Sequence, residues 1–256
     1  MALGAPLAPR PAGADGIPIS TPGSDGWRPL VFRGVANQTR YTLESFEGME
    51  VAKAESNCGA SGLVLPLDAI RLDRTPLLSW RWRVDRGLDL SHEQTKAEDD
   101  FAARVYITFE FDEARASTLQ RLRHRLGRLI YGKDIPGSAL NFVWTSRLAA
   151  GAVWDNPFES SAKMIALAQG SNAGWRTETV DVVARYRDLF GSPAPPLLGL
   201  AIMSDSDNSC QSTEAFFADF KFLSPAAHNR DFRVCEALRC SFRRRGGRAV
   251  RPLFLR

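Results

Sequence analysis

Hydrophobic and polar residues alternate with a period of two along much of the chain, and the two clearest runs predict strands. In Leu77 to Val84, Leu78, Trp80, Trp82 and Val84 share one face, while Ser79, Arg81 and Arg83 share the other. In Arg104 to Asp112, Val105, Ile107, Phe109 and Phe111 oppose Arg104, Tyr106, Thr108, Glu110 and Asp112. Such faces suit antiparallel strands covered on one side and polar on the other. Shorter runs with turn punctuation predict strands at Leu30 to Val35, Thr39 to Phe46, Met49 to Glu55, Gly62 to Leu67, Ala139 to Ser146, Lys163 to Gln169, Trp175 to Val182, Leu197 to Ser204 and Glu214 to Leu223.

The period changes once to that of an amphipathic helix. From Glu113 to Ile130, Leu119, Leu122, Leu126, Leu129 and Ile130 form one stripe, with Arg121, Arg123, Arg125 and Arg128 largely off it. An inserted helix packed on the sheet, its arginines solvated, is the expected role; docking to a membrane or an acidic partner is the alternative. A short helix or turn from Val183 to Phe190 ends at Gly191, a residue suited to a helix C-terminus. Strands do not alternate with helices, so the pattern predicts a mainly β fold. An antiparallel β-sandwich of jelly-roll type with one inserted amphipathic helix is expected, and an α/β sheet is not.

At 256 residues and 44% hydrophobic content the chain can bury a large core as one domain. The expected division is a leader or disordered segment over 1–26, the sandwich over 27–224 and a basic tail over 225–256. No run approaches the roughly 18 apolar residues of a membrane helix. Met1 to Gly16 makes a poor signal peptide, since prolines interrupt it and no basic residue precedes Arg10. The net charge of +4 is unevenly spread: residues 230–256 carry nine Arg against Asp231 and Glu236, which is +7 and leaves −3 on the rest. The tail has the charge of an arm for phosphates or anionic lipid, or of a solvated terminus, and the latter is expected. The body is too acidic for a nucleic-acid surface. The sequence does not indicate an oligomeric state.

Cys58, Cys210, Cys235 and Cys240 lack close spacing, and His92, His124 and His228 are isolated, which argues against zinc and against histidine-based catalysis. A Cys58–Cys210 disulfide is open in an oxidising compartment, with free thiols the expectation. Two acidic motifs remain, Lys96-Ala97-Glu98-Asp99-Asp100-Phe101 and Asp205-Ser206-Asp207-Asn208. Asp205, Asp207 and Asn208 offer oxygens for calcium in a turn, or caps for the turn's own backbone. Asp99 and Asp100, placed on opposite faces if the segment is extended, are expected to pair with Lys96, Arg81 or Arg83. Paired with Asp205 or Asp207 across a sugar, they would instead suit a glycosidase. Among the tryptophans, Trp80, Trp82 and Trp144 read as core and Trp154 as a loop platform for a saccharide ring.

Several ordered motifs carry a resemblance. They are Ser61-Gly62-Leu63, Trp80-Arg81-Trp82-Arg83-Val84, Lys96 with Asp99-Asp100-Phe101 and Arg104-Val105-Tyr106, Leu140-Asn141-Phe142-Val143-Trp144, Gly174-Trp175 with Asp181, and Ala201-Ile202-Met203 with Asp205-Ser206-Asp207-Asn208. Together they resemble a bacterial family known only as a domain of unknown function, many of whose members look exported; this implies a periplasmic or secreted protein, with a cytoplasmic one still open. Gly174 to Val180 and Ala215 to Phe222 are also similar to the closing strands of galactose-binding-like jelly rolls, common among carbohydrate-binding modules. Cys210 departs from the small or polar residue expected after the acidic turn. The reading is a non-catalytic envelope module that binds a saccharide or other polar ligand through Asp99, Asp100, Arg104, Trp154, Asp205, Asp207 and Asn208. Its only cofactor candidate is calcium, on Asp205, Asp207 and Asn208. A carboxylate-dependent glycan hydrolase and a structural or assembly protein are the alternatives.

Overall fold

Alternation along Leu77–Arg86 drives Trp80, Trp82 and Val84 to zero exposure on one side, and the computed structural model builds the interior around that face. It describes residues 16–114, 116, 118, 121 and 136–228. Most of the helix expected over Glu113 to Ile130 lies outside the described residues, as do Cys235, Cys240 and most of the basic tail.

Thirteen strands and one helix are described. The strands are β1 (Ile17–Pro18), β2 (Arg28–Val31), β3 (Arg40–Phe46), β4 (Met49–Asn57), β5 (Ala60–Pro66), β6 (Leu77–Arg86) and β7 (Ala103–Phe109), then β8 (Ser138–Thr145), β9 (Val153–Asp155), β10 (Ala162–Gln169), β11 (Asn172–Asp181), β12 (Leu197–Asp205) and β13 (Ser212–Leu223), with α1 (Val182–Phe190) between β11 and β12. One sheet runs β11-β6-β13-β4-β3, with β1 on β13; the other runs β2-β5-β12-β7-β8-β10-β9. The fold is thus a two-sheet β-sandwich. Its pairs are antiparallel except β10 with β8, which is parallel. Two strands escaped the alternation pattern because they are only two and three residues long. One of them, β1, falls in the segment expected to lie outside the sandwich, yet Ile17 pairs with Phe222 and Pro18 with Lys221.

Aromatic rings join the two sheets. Trp80 lies 5.4 Å from Trp82 and 5.5 Å from Phe142, and Trp82 lies 5.5 Å from Trp144. The indole N–H of Trp82 donates to Glu178 Oε1, and that of Trp144 to the Gly170 carbonyl, so both rings are buried with their polar atoms satisfied. A bulge in β13 corrects the pleat: Asp219 takes a left-handed φ of 55°, and Phe217, Phe220 and Phe222 all reach the core. Strict alternation from Phe217 would instead have turned Asp219 and Lys221 inward. On the outer face of the same sheet, Arg83 lies over Phe46 at 4.8 Å and Arg81 over Trp175 at 5.1 Å. The Trp-Arg-Trp-Arg run therefore serves both faces.

Helix α1 follows from its caps. The Asp181 side chain accepts from the Ala184 N–H, and Gly191, at φ 67°, returns its N–H to the Arg187 carbonyl. Tyr186 packs on Phe109 and bonds Ser138 through its hydroxyl.

Contrary to the expected free thiols, Cys58 and Cys210 form a disulfide. They stand 152 residues apart, so spacing alone gave no sign of it. Pairing of β13 with β4, in which Ser212 faces Asn57, brings the two turns together.

Two stability tests follow from this packing. A Cβ at Gly62 would stand 2.7 Å from the Ile202 carbonyl oxygen of the neighbouring strand, so Gly62→Ala should cost about 1–3 kcal/mol in urea unfolding; an unchanged midpoint would refute that close approach. Reduction of Cys58–Cys210, or Cys58→Ala, should lower stability by about 2–4 kcal/mol in the same assay.

Candidate functional site

Arg104, the second residue of β7, lies on the face turned away from Val105, Ile107 and Phe109, yet it is only 2% exposed. A guanidinium so placed must find acceptors for its fork of N–H groups. Its Nε donates to Asp205 Oδ1 at 2.7 Å, and its Nη2 donates to Asp205 Oδ2 and to the Asp99 carbonyl. Nη1 stands 3.5 Å from Asp99 Oδ2 and donates to the Tyr106 hydroxyl at 3.3 Å. The Phe101 ring covers the guanidinium, with the charge centre 4.5 Å from the ring centroid. Phe101 and Asp205 are also tied by main chain: the Phe101 N–H donates to Asp205 Oδ1 and the Asp205 N–H to the Phe101 carbonyl. These bonds fix where β12 ends and β7 begins.

The expected partners of the first motif, Lys96, Arg81 and Arg83, are all elsewhere. Arg83 pairs with Asp85, Arg81 with Asp219, and the Lys96 ammonium lies over the Phe158 ring at 5.3 Å. Asp99 and Asp100 are not on a strand, because β7 starts only at Ala103, and the opposite-face argument does not apply. Asp100 is fully buried; its carboxylate accepts the Asn208 N–H at 3.1 Å and the Ser209 N–H at 2.6 Å. It therefore clamps the second motif. Carboxylate oxygens of Asp100, Asp205 and Asp207 all lie within 4.8 Å of one another. Asn208 is tied to the first motif by its side chain as well, whose amide N–H donates to the Lys96 carbonyl at 2.9 Å.

Electrostatics reflects burial. Burial pushes Asp205 up to about 7 despite the guanidinium, and raises Asp99 against the pull of Arg104. Asp207 is raised by burial and by Asp100. Burial works against the charge of Arg104, but Asp205, Tyr106 and Asp99 hold its pKa well above the usual value. Burial also pushes the Tyr106 hydroxyl up to about 12.

Further bonds hold the turn from below. Ser206 Oγ meets Ser56 Oγ at 2.9 Å, its N–H donates to the Gly59 carbonyl, and Cys210 is bonded to Cys58. Trp154, expected on a loop, sits on β9 and is half-buried, its ring 6.1 Å from Phe101. Phe158, at 60% exposure, is the open aromatic nearby, in a turn shaped by Asn156 Oδ1 accepting the Phe158 and Glu159 N–H groups. Glu93, which carried no sequence signal, is 2% exposed and accepts the N–H groups of Ser146, Arg147 and Leu148, so it fixes the loop before β9. A surface depression of about 660 Å³ lined by Gly23 to Trp27 and Leu43 shares no residue with the cluster.

The molecule is therefore a β-sandwich with a buried carboxylate–guanidinium cluster at one end of its seven-stranded sheet. The chain matches the family described as "Protein of unknown function (DUF3047)" over residues 25–221, and it belongs to that family. No curated protein matches it. Among solved structures it is similar to a family 11 carbohydrate-binding module from Clostridium thermocellum in complex with a β-1,3-1,4-mixed-linked tetrasaccharide, at 9% identity and a TM-score of 0.38, covering 81% of this chain and 95% of that one. It is also similar to the xyloglucanase domain of a type three effector from Sinorhizobium fredii in complex with cellobiose, at 10% identity and a TM-score of 0.38, covering 83% and 99% of the two chains. A third is endoglucanase 3 of family GH12 from Trichoderma harzianum, at 12% identity and a TM-score of 0.37, covering 81% and 93%.

Removing Arg104 would leave Asp205 and Asp99 buried without their cation. Arg104→Met should lower unfolding free energy by about 3–5 kcal/mol, read by urea titration; a loss under about 1 kcal/mol would show that the guanidinium does not hold the cluster together.

Proposed function

We propose that this chain is a non-catalytic binding module for a saccharide or another polar, hydroxylated ligand. The ligand would sit where the segments around Lys96, Trp154 to Phe158 and Asp207 to Asn208 meet. That convergence is the observation that carries the reading: three stretches distant in sequence place an exposed aromatic ring, a lysine, a carboxylate and an exposed amide on one end of a rigid sheet. Aromatic faces take the apolar side of a sugar ring, and polar neighbours take its hydroxyls. In this reading Phe158 forms the platform, Asp207 and Asn208 bond the ligand, and Asp99, Asp100, Arg104 and Asp205 hold the turn beneath.

A hydrolase needs two carboxylates open to one substrate. Asp99, Asp100 and Asp205 are 6%, 0% and 2% exposed, and their burial favours the binding role over the catalytic one. The Cys58–Cys210 disulfide supports a periplasmic or secreted location, since such bonds persist in oxidising compartments.

The test is a glycan array with the disulfide-intact chain, followed by calorimetry on the best ligand. Saturable binding without release of reducing ends is expected, weakened at least about tenfold by Phe158→Ala and by Asn208→Ala, which is about 1.4 kcal/mol each. Folded protein that binds no glycan on the array, or that cleaves one, would overturn the proposal.

A further inference from the structure

We infer that Asp100, Asp205 and Asp207 form a binding site for a divalent cation of calcium's size, a property of the cluster that does not depend on the proposed saccharide. The first observation is geometric: one oxygen from each carboxylate lies within 4.8 Å of the other two. Oxygens bonded to one calcium ion at about 2.3–2.6 Å stand up to about 5 Å apart, so carboxylate oxygens no more than 4.8 Å from one another are compatible with a single such ion. Calcium, which takes about six to eight oxygens in a flexible geometry, suits a set of protein carboxylates better than magnesium, which keeps several of its waters.

The second observation is independent of the trio. Asp99, 6% exposed, has a buried Oδ1 with no hydrogen-bond partner, and its carboxylate lies within the electrostatic influence of Asp100 and Asp207. A buried carboxylate oxygen without a donor is costly, and a cation or a cation-bound water would satisfy it. Ser209 adds a second such atom: its Oγ is buried without a partner, while its N–H donates to Asp100.

Charge counting gives the same direction. Asp99, Asp100, Asp205 and Asp207 face one guanidinium, that of Arg104, which bonds Asp205 and Asp99 and leaves Asp207 without it. Each Asp100 oxygen spends one lone pair on an N–H donor, as does Asp205 Oδ2, and these three oxygens each keep a second for a metal, while Asp205 Oδ1 accepts from both Phe101 and Arg104. Asp207, partly exposed, gives an ion its way in. This ligand set joins Asp100 from the first motif to Asp205 and Asp207 of the second.

The full chain, treated with chelator and dialysed, is to be titrated with calcium chloride and, separately, magnesium chloride by calorimetry, and its melting temperature followed with each. One equivalent of calcium bound more tightly than magnesium, with a rise in melting temperature, is expected. Asp207→Asn, which leaves the Arg104 pairs in place, should weaken calcium binding at least tenfold while the chelated protein melts no lower than the parent. Asp155→Asn, at an exposed carboxylate paired with Lys163, should leave it unchanged. Folded protein that shows neither heat nor a melting shift with calcium would overturn the inference, as would binding that Asp207→Asn leaves intact. Calcium binding in a chain that takes no glycan supports the cation site while the saccharide proposal falls; glycan binding with no calcium bound does the reverse.

Discussion

Arg104 is the residue on which the described end of the sandwich depends. It stands at the start of one central strand of the seven-stranded sheet and binds the last residue of the neighbouring one, so its fork fixes the relative ends of β7 and β12. A guanidinium at 2% exposure carries a heavy desolvation cost, and its hydrogen bonds must be nearly complete to offset it. Here they are: two to a carboxylate, one to a carbonyl, one to a hydroxyl, with an aromatic ring closing the face. The same fork holds the Asp99 carbonyl and main-chain bonds to Asp205 hold Phe101, so the residues on both sides of Asp100 are fixed.

From that point order spreads outward by successive bonds. Asp100 accepts two N–H groups of the Asn208–Ser209 turn, Ser206 ties the turn to the β4–β5 connection, and the disulfide locks the two turns covalently. The result is a rigid floor made of charge and main-chain bonds beneath a rim of partly exposed side chains. Such a division suits binding, because a preorganised floor lowers the ordering cost of the groups that meet a ligand.

Much of the fold was legible in the sequence because burial acts on a period of two. The alternating residues of β6 and β7 predicted which side chains reach the core, and Trp80, Trp82 and Trp144 are there. Alternation has nothing to say where a strand is two or three residues long, as for β1 and β9, or where a bulge resets the pleat at Asp219. It also misjudged Arg104, since a period-two pattern gives the face of a residue and not what covers that face. The motifs themselves could be found by eye. Their partnership could not, because Asp205 meets Arg104 across 101 residues and Cys58 meets Cys210 across 152. Those distances close only through the order of strands in the sheets.

The motifs that carry the family resemblance separate into two kinds once they are placed. Ser61-Gly62-Leu63, the Trp-Arg-Trp-Arg run and Leu140 to Trp144 are scaffold, since their apolar members fill the core and Gly62 permits close strand approach. The acidic motifs are of another kind. A buried ion pair seldom stabilises a fold more than well-packed apolar residues of the same volume, so four carboxylates gathered about one guanidinium are a poor means of stabilising a sandwich. The core needs no such cluster, being already filled by closely packed aromatic rings. In the proposed cation site a positive species completes that excess charge, and the partly exposed Asp207 opens the cluster to solvent. Stability therefore accounts for the first group of motifs, whereas the second gathers more negative charge than a stable sandwich requires.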